Sequence, residues 1–268
     1  MPYVKTRDGA DIYVKDWGSG RPVVLIHGWP LSSDSWDPQM LALADAGYRA
    51  IAYDRRGFGE TRTETEDHSP VADLLAVLDA LAPGRPATLV ACSQGGRIAL
   101  DFALLHPSRL RALVLIAPSV SGAPEPVYPP PIEPLLTRLA AAEAARDWDR
   151  VSAIKVHLWL DGPLQREGRI TGELRASFLQ KNLAALRAPA VGANLDTAPA
   201  FPCLAEITAP SRIIWGGSDF PHIQERSRLI AATLPNGSGC AIAEAAHLPS
   251  LERPQEVTRL ITDFFACL

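Results

Sequence analysis

The chain reads as an α/β protein: a mostly parallel sheet with helices on both faces and a helical insertion late in the sheet. Three observations predict this. Short apolar runs alternate with helix-patterned stretches at both ends of the sequence, as they do where crossover helices link parallel strands. One junction, Ala91-Cys92-Ser93-Gln94-Gly95-Gly96, passes from an apolar run straight into a helical pattern with a serine at the turn. Between about 119 and 202 the strand signals vanish and helix-forming sequence takes over.

Each element follows in order. Residues 10–14 and 22–26 read as an early antiparallel pair joined at Gly18-Ser19-Gly20. The runs 48–53, 87–92 and 112–116 are apolar nearly throughout, as expected of parallel strands buried on both faces. Runs 211–215 and 239–243 resume the series. Helical patterns fill 34–46, 70–82, 95–106, 222–234 and 254–266. In the middle, a proline-rich stretch leads into helices over 134–146, 148–160 and 173–186. This predicts a core domain of residues 1–118 and 203–268 and a helical lid (cap) of 119–202. Because the insertion follows the 112–116 strand, it is expected over the carboxyl edge of the sheet, where reacting groups gather in such folds. A purely structural helical hairpin is the alternative.

Composition narrows the function. With 268 residues, 47% of them hydrophobic, the chain has material for a large core. A formal net charge of −4 offers no basic footprint, so nucleic acid is not an expected partner. No apolar run approaches the roughly 20 residues of a membrane span, and the polar stretch Met1-Pro2-Tyr3-Val4-Lys5-Thr6-Arg7-Asp8 does not read as a signal peptide. Cys92, Cys203, Cys240 and Cys267 show neither metal-ligand nor disulfide-scaffold spacing, which fits buried or incidental thiols of a cytoplasmic protein.

The chemistry starts at Ser93. A small residue two before it (Ala91) and two after it (Gly95) let the backbone turn sharply, so the hydroxyl stands clear of the sheet and the next helix aims its N–H groups at developing negative charge. A serine needs a base, most often a histidine held in one tautomer by a carboxylate. Asp219 stands just past the 211–215 strand in Gly216-Gly217-Ser218-Asp219, and His247 just past the last strand. Gln94 and Trp29 are expected to supply the two backbone donors of an oxyanion hole. Gln94 directly follows the serine, and Pro30 has no N–H to offer.

Other candidates take structural roles. His106 ends a helix before Pro107, His68 lies in a polar loop, and His157 in a lid helix; His222 is read as a surface residue and His27 as a brace of the Trp29 loop. Asp54 rivals Asp219 but is read as fixing its turn together with Arg55 and Arg56; Glu244 and Glu252 flank His247 and can brace its loop. No metal and no cofactor are expected. Trp29, Trp159, Phe220 and Leu248 are candidate substrate-binding residues, with Tyr128 and Phe178 as further lid candidates.

The segments His27-Gly28-Trp29-Pro30, Asp54-Arg55-Arg56-Gly57-Phe58-Gly59, Ser93-Gln94-Gly95-Gly96, Gly216-Gly217-Ser218-Asp219 and Ala246-His247-Leu248-Pro249 together resemble the α/β-hydrolase superfamily. The likeness runs over the whole chain. It is nearest to small-lid carboxylesterases and to cofactor-free haloperoxidases (perhydrolases), and Trp159-Leu160-Asp161-Gly162-Pro163 is similar to 3-oxoadipate enol-lactonase-like proteins. Ala91 departs from the usual glycine. The resemblance implies an eight-stranded, mostly parallel sheet with the lid after the sixth strand. It also implies a serine hydrolase acting on a small carboxylic ester or lactone. Ser93 disfavours the dehalogenase and epoxide hydrolase branches, which carry aspartate there. Perhydrolysis by the same groups is the alternative, ahead of a carbon–carbon bond hydrolase or a non-enzymatic ligand receptor.

Overall fold

The computed structural model describes residues 2–268; Met1, the first residue of the polar amino-terminal stretch, lies outside them. Eight strands form one sheet: β1 (Tyr3–Lys5), β2 (Asp11–Gly18), β3 (Arg21–Ile26), β4 (Tyr48–Tyr53), β5 (Ala87–Cys92), β6 (Leu110–Ile116), β7 (Ser211–Gly216) and β8 (Gly237–Ile242). Their order is β1-β2-β4-β3-β5-β6-β7-β8. Pairing is parallel from β4 to β8 and antiparallel between β1, β2 and β4.

Helices cover both faces because the central strands are apolar on both. In β3, β5 and β6, Val24, Ile26, Leu89, Ala91, Leu113 and Leu115 join one buried cluster. It includes Leu74 and Val77 of α2 (Pro70–Leu81) and Ile98 and Phe102 of α3 (Gln94–Leu105). Their neighbours Val23, Leu25, Val90, Cys92, Val114 and Ile116 join the other. That cluster holds Met40 and Leu43 of α1 (Asp37–Asp45) and Ile261 and Phe265 of α9 (Pro254–Ala266). The alternation follows from the two-residue period of a strand.

Between β6 and β7 the chain forms α4 (Glu133–Ala144), α5 (Trp148–Val156) and α6 (Gly172–Arg187), with a single π-helical turn, His157–Asp161, continuing α5. After β7 come α7 (Pro221–Thr233) and, following β8, the short α8 (Pro249–Glu252). None of the helices described is long and apolar enough to cross a membrane.

One expectation is corrected. Strands β2 and β3 are not paired, because β4 lies between them and hydrogen-bonds to both. The Gly18-Ser19-Gly20 link straddles the start of β4 instead of closing a hairpin. A β-carbon on Gly18 would sit 2.4 Å from the Tyr48 carbonyl oxygen, and one on Gly20 would sit 2.3 Å from that of Gly47. Both glycines also have positive φ, +77° and +104°. The turn signal was genuine, but it served a close backbone approach. The polar end of β2, with Lys15, Asp16 and Trp17 partly or well exposed, suits a place near the sheet edge, whereas β3, apolar and buried after Arg21, needs neighbours on both sides.

Candidate active site

Ser93 occupies the turn between β5 and α3 with φ 48° and ψ −119°, a conformation seldom adopted by residues other than glycine. Three hydrogen bonds hold it there. Its N–H donates to the Ile116 carbonyl (3.0 Å), and its own carbonyl accepts from the N–H groups of Gly96 and Ser119 (2.9 Å each). The turn closes with Ala91 in place. That residue is fully buried and pairs with Ile26 on one side and Leu115 on the other, so its methyl belongs to the core.

The adjacent strand ends bring the partners in. Asp219 follows β7 and His247 follows β8. The His247 Nε2 lies 3.0 Å from Ser93 Oγ, and its Nδ1 lies 2.8 Å from Asp219 Oδ2. With the proton on Nδ1, the ring donates to Asp219 and accepts from the serine hydroxyl. Asp219, 2% exposed, also accepts the Phe220 N–H at Oδ1 (2.7 Å). Burial pushes the His247 imidazole down, but the charge and hydrogen bond of Asp219, with Glu252 behind it, outweigh this and the net shift is upward from its usual 6.5.

The inserted helices reach this site through the backbone: the His247 N–H donates to the Trp159 carbonyl (3.1 Å). Arg169 extends the link, donating to the carbonyls of Leu160 (2.7 Å), Asp161 (2.6 Å) and Glu244 (2.8 Å) and pairing with Glu252. Glu252 in turn accepts the Ala246 N–H (2.9 Å), so it braces the His247 loop. Glu244 contributes its carbonyl there, while its carboxylate pairs with Arg253 at the surface.

The loop after β3 is tied to the serine turn through Arg55. The Arg55 N–H donates to His27 Nε2 (3.0 Å), and His27 Nδ1–H donates to the Gly28 carbonyl (2.8 Å). The Arg55 guanidinium donates to the Gln94 side-chain oxygen (3.0 Å). Burial and the Arg55 charge hold His27 well below the usual histidine range, so it braces the loop as a neutral ring. Burial also pushes the Cys92 thiol up to about 11, which keeps the residue beside Ser93 protonated at neutral pH.

Asp54 caps backbone N–H groups of its turn, but not together with its neighbouring arginines. Its carboxylate accepts the N–H groups of Ser33 (2.6 Å) and Glu60 (2.8 Å) and, among the described residues, has no hydrogen bond or ion pair with Arg55 or Arg56. Arg56 pairs with Asp73 and Asp8 instead. A buried carboxylate in a tight turn meets orphan backbone donors first, and long arginine side chains reach past it.

Ser93 and His247 open into a cavity of about 400 Å³ walled by Trp29, Gln94, Ser119, Tyr128, Lys155, Trp159, Phe220, His222 and Ile223. A larger groove of about 610 Å³, between Phe58, Thr63, Lys181 and Val191, holds none of Ser93, Asp219 and His247. Of the expected wall residues, Trp29, Trp159, Phe220 and Tyr128 are in place. Leu248 and Phe178 are not: 3% and 1% exposed, they pack into the core with Val156 and Leu160 and anchor the insertion. His222 is not a surface residue. It walls the cavity beside Tyr128 and Phe220, and burial, helped by Arg226, lowers it to about 4. Its position three residues after Asp219, at the start of α7, was the available signal. Lys155 was missed as well; it stands four residues before Trp159, on the same side of a continuing helix. Among the described residues, no group of three or more His, Cys, Asp or Glu could hold a metal ion.

Comparison with known proteins agrees with this architecture. The chain is 46% identical over 124 residues to a non-heme chloroperoxidase, CPO-A1, of Kitasatospora aureofaciens. It is 38% identical over 122 residues to a bifunctional esterase/perhydrolase, DCH, of Acinetobacter calcoaceticus. Each alignment takes in 44% of this chain and 44% of the relative, so under half the length of these relatives is matched. The structure of an esterase from Exiguobacterium antarcticum superposes with a TM-score of 0.79 at 21% identity, covering 98% of both chains, a likeness of fold. A family model described as "alpha/beta hydrolase fold" matches residues 21–254. The chain belongs to the α/β-hydrolase fold family.

Proposed function

We propose that the protein is a serine hydrolase of small carboxylic esters or lactones that works through an acyl-enzyme. The observation that carries this reading is the unbroken hydrogen-bonded chain from Ser93 through His247 to Asp219, opening into a cavity beside the amino end of α3. His247 takes the Ser93 proton as Oγ attacks the carbonyl carbon, and Asp219 steadies the imidazolium. The backbone N–H groups of Gln94 and Trp29 hold the oxyanion; losing one such donor typically costs about 2.7–4 kcal/mol of barrier. His247 then returns the proton to the leaving oxygen. Water, activated by the same ring, attacks the acyl carbon, and the acid leaves with Ser93 restored. The inserted helices act as the lid, with Trp29, Trp159 and Phe220 shaping the acyl side.

A second reading shares these groups. When hydrogen peroxide replaces water in deacylation, the acyl carbon passes to a peroxide oxygen, and a peracid leaves. The names of the chloroperoxidase and esterase/perhydrolase relatives favour including it. The test is turnover of p-nitrophenyl acetate and butyrate by the wild type and by Ser93→Ala, with fluorophosphonate labelling of Ser93. Serine-dependent turnover is expected; its absence together with absent labelling overturns the proposal. Peracid formed from acetate and peroxide, assayed by oxidation of bromide, separates the two outcomes.

A further inference from the structure

The cavity beside Ser93 combines aromatic and apolar walls with the uncharged polar side chains of Gln94 and Ser119. Among the described residues, and apart from its two imidazoles, Lys155 is the one wall residue that is ordinarily charged. It sits in the last turn of α5, its side chain 15% exposed, with Nζ 4.8 Å from the Trp29 ring centre and 5.8 Å from that of Trp159. The two indoles meet edge to face at 5.1 Å. Their π faces hold the ammonium at the wall of the cavity and not in bulk water. Its acidic partner is Glu143 at 3.1 Å, a carboxylate 44% exposed that is not among the cavity walls. Water competes for that pairing, and an ammonium has three donors, so the pair leaves capacity for a second acceptor.

The other charges near the cavity do not take this role. His222 is held neutral, and Asp219 is buried behind His247, where its charge disfavours any other anion near the ring. Lys155 offsets that disfavour from the side of the inserted helices. The cavity that Lys155 and Ser93 share is also walled by Trp159, Phe220 and Ile223, surfaces suited to methylene groups.

We propose that Lys155 forms a carboxylate subsite, and that the substrates are esters or lactones whose acyl chain ends in a free carboxylate. The inference rests on the serine-hydrolase reading for its chemistry, but binding tests it independently. In Ser93→Ala protein, quenching of tryptophan fluorescence measures the affinity of monomethyl succinate, glutarate and adipate against the corresponding dimethyl esters, ligands that differ by one charge at each chain length. At least one monoester is expected to bind about tenfold or more tightly than its diester, a preference that Lys155→Met removes, Lys155→Arg keeps and Glu143→Gln increases. In the Ser93 protein, the ratio of kcat/KM for half-ester over diester should fall about tenfold in Lys155→Met, where melting curves check the fold.

Equal affinity for mono- and diesters at every chain length, or a preference that survives Lys155→Met, overturns the subsite. Should Lys155→Met fail to fold, loss of the preference at raised ionic strength and its increase in Glu143→Gln decide the matter in its place. A charge preference in binding without serine-dependent turnover would keep the subsite and reject the hydrolase, so the two failures are distinguishable.

Discussion

Gly95→Ala sets two physical arguments against each other. Gly95 lies in the first turn of α3, where alanine is the better helix former by about 1 kcal/mol. Propensity alone therefore predicts a more stable protein. The structure predicts the reverse. A β-carbon at position 95 would stand 2.4 Å from the carbonyl oxygen of Ile26 and 2.9 Å from that of His27. The first is about 1 Å short of ordinary contact in a close-packed interior. Ile26 cannot yield, because it ends β3 and is paired with Tyr53 on one side and Ala91 on the other. The amino end of α3 must therefore lift by roughly that distance, taking Ser93 and Gln94 with it. Overpacking of this kind costs about 1–3 kcal/mol, which offsets the propensity gain and leaves a net loss of up to about 2 kcal/mol. Displacing a reacting group by about 1 Å costs on the order of 100-fold in turnover. Urea denaturation and p-nitrophenyl butyrate hydrolysis, run on the same preparations, read both quantities. A variant that is more stable than the wild type and within about threefold of its kcat would refute the claim that β3 and the serine turn are packed to contact.

Two further perturbations probe the same site from other sides. In the proposed mechanism His247 must be neutral to act as base, and its ionisation is shifted upward from 6.5, so kcat/KM should rise with pH through an inflection above that value. Asp219→Asn removes the main cause of the rise, leaving the charge of Glu252 against the burial that opposes it. The inflection should move down while the plateau falls by about 10⁴-fold, and an inflection that stays in place would separate Asp219 from His247. In Ala91→Gly, the strand loses a buried methyl and gains backbone freedom. Stability should drop by about 1–2 kcal/mol with turnover nearly unchanged, since the serine turn already forms with the methyl present. A rise in kcat would mean that the alanine strains the turn.

The proposed reacting groups were legible in the sequence because each marks itself locally. Ser93, Asp219 and His247 stand within a few residues of the ends of apolar runs. A parallel sheet delivers all such ends to one edge, so three local signals became one spatial prediction. Where the answer depended on non-local packing, the reading failed. Nothing near Gly18 and Gly20 indicates that β4, some 30 residues later, wedges between β2 and β3. The number and class of elements survived that error because they rest on periodicity and not on who pairs with whom.

The cavity walls show the same divide at the level of single side chains. Phe178 and Leu248 look like substrate-binding residues by type, whereas Lys155 was not singled out at all. In the structure Phe178 and Leu248 are core residues and Lys155 walls the cavity. An inserted helical segment must be held to its core by apolar contacts, and Phe178 and Leu248 are spent on that anchoring, packed with Val156 and Leu160. Lysine, by contrast, is an amphipathic side chain whose stem lies well along apolar surface while its ammonium seeks a polar or π partner. At the end of α5 the indoles of Trp29 and Trp159 supply that partner, so the charge comes to rest at the wall of the cavity. A residue type ordinarily found at the surface therefore walls the cavity, and its four-residue spacing from Trp159 is the part of that arrangement that the sequence carries.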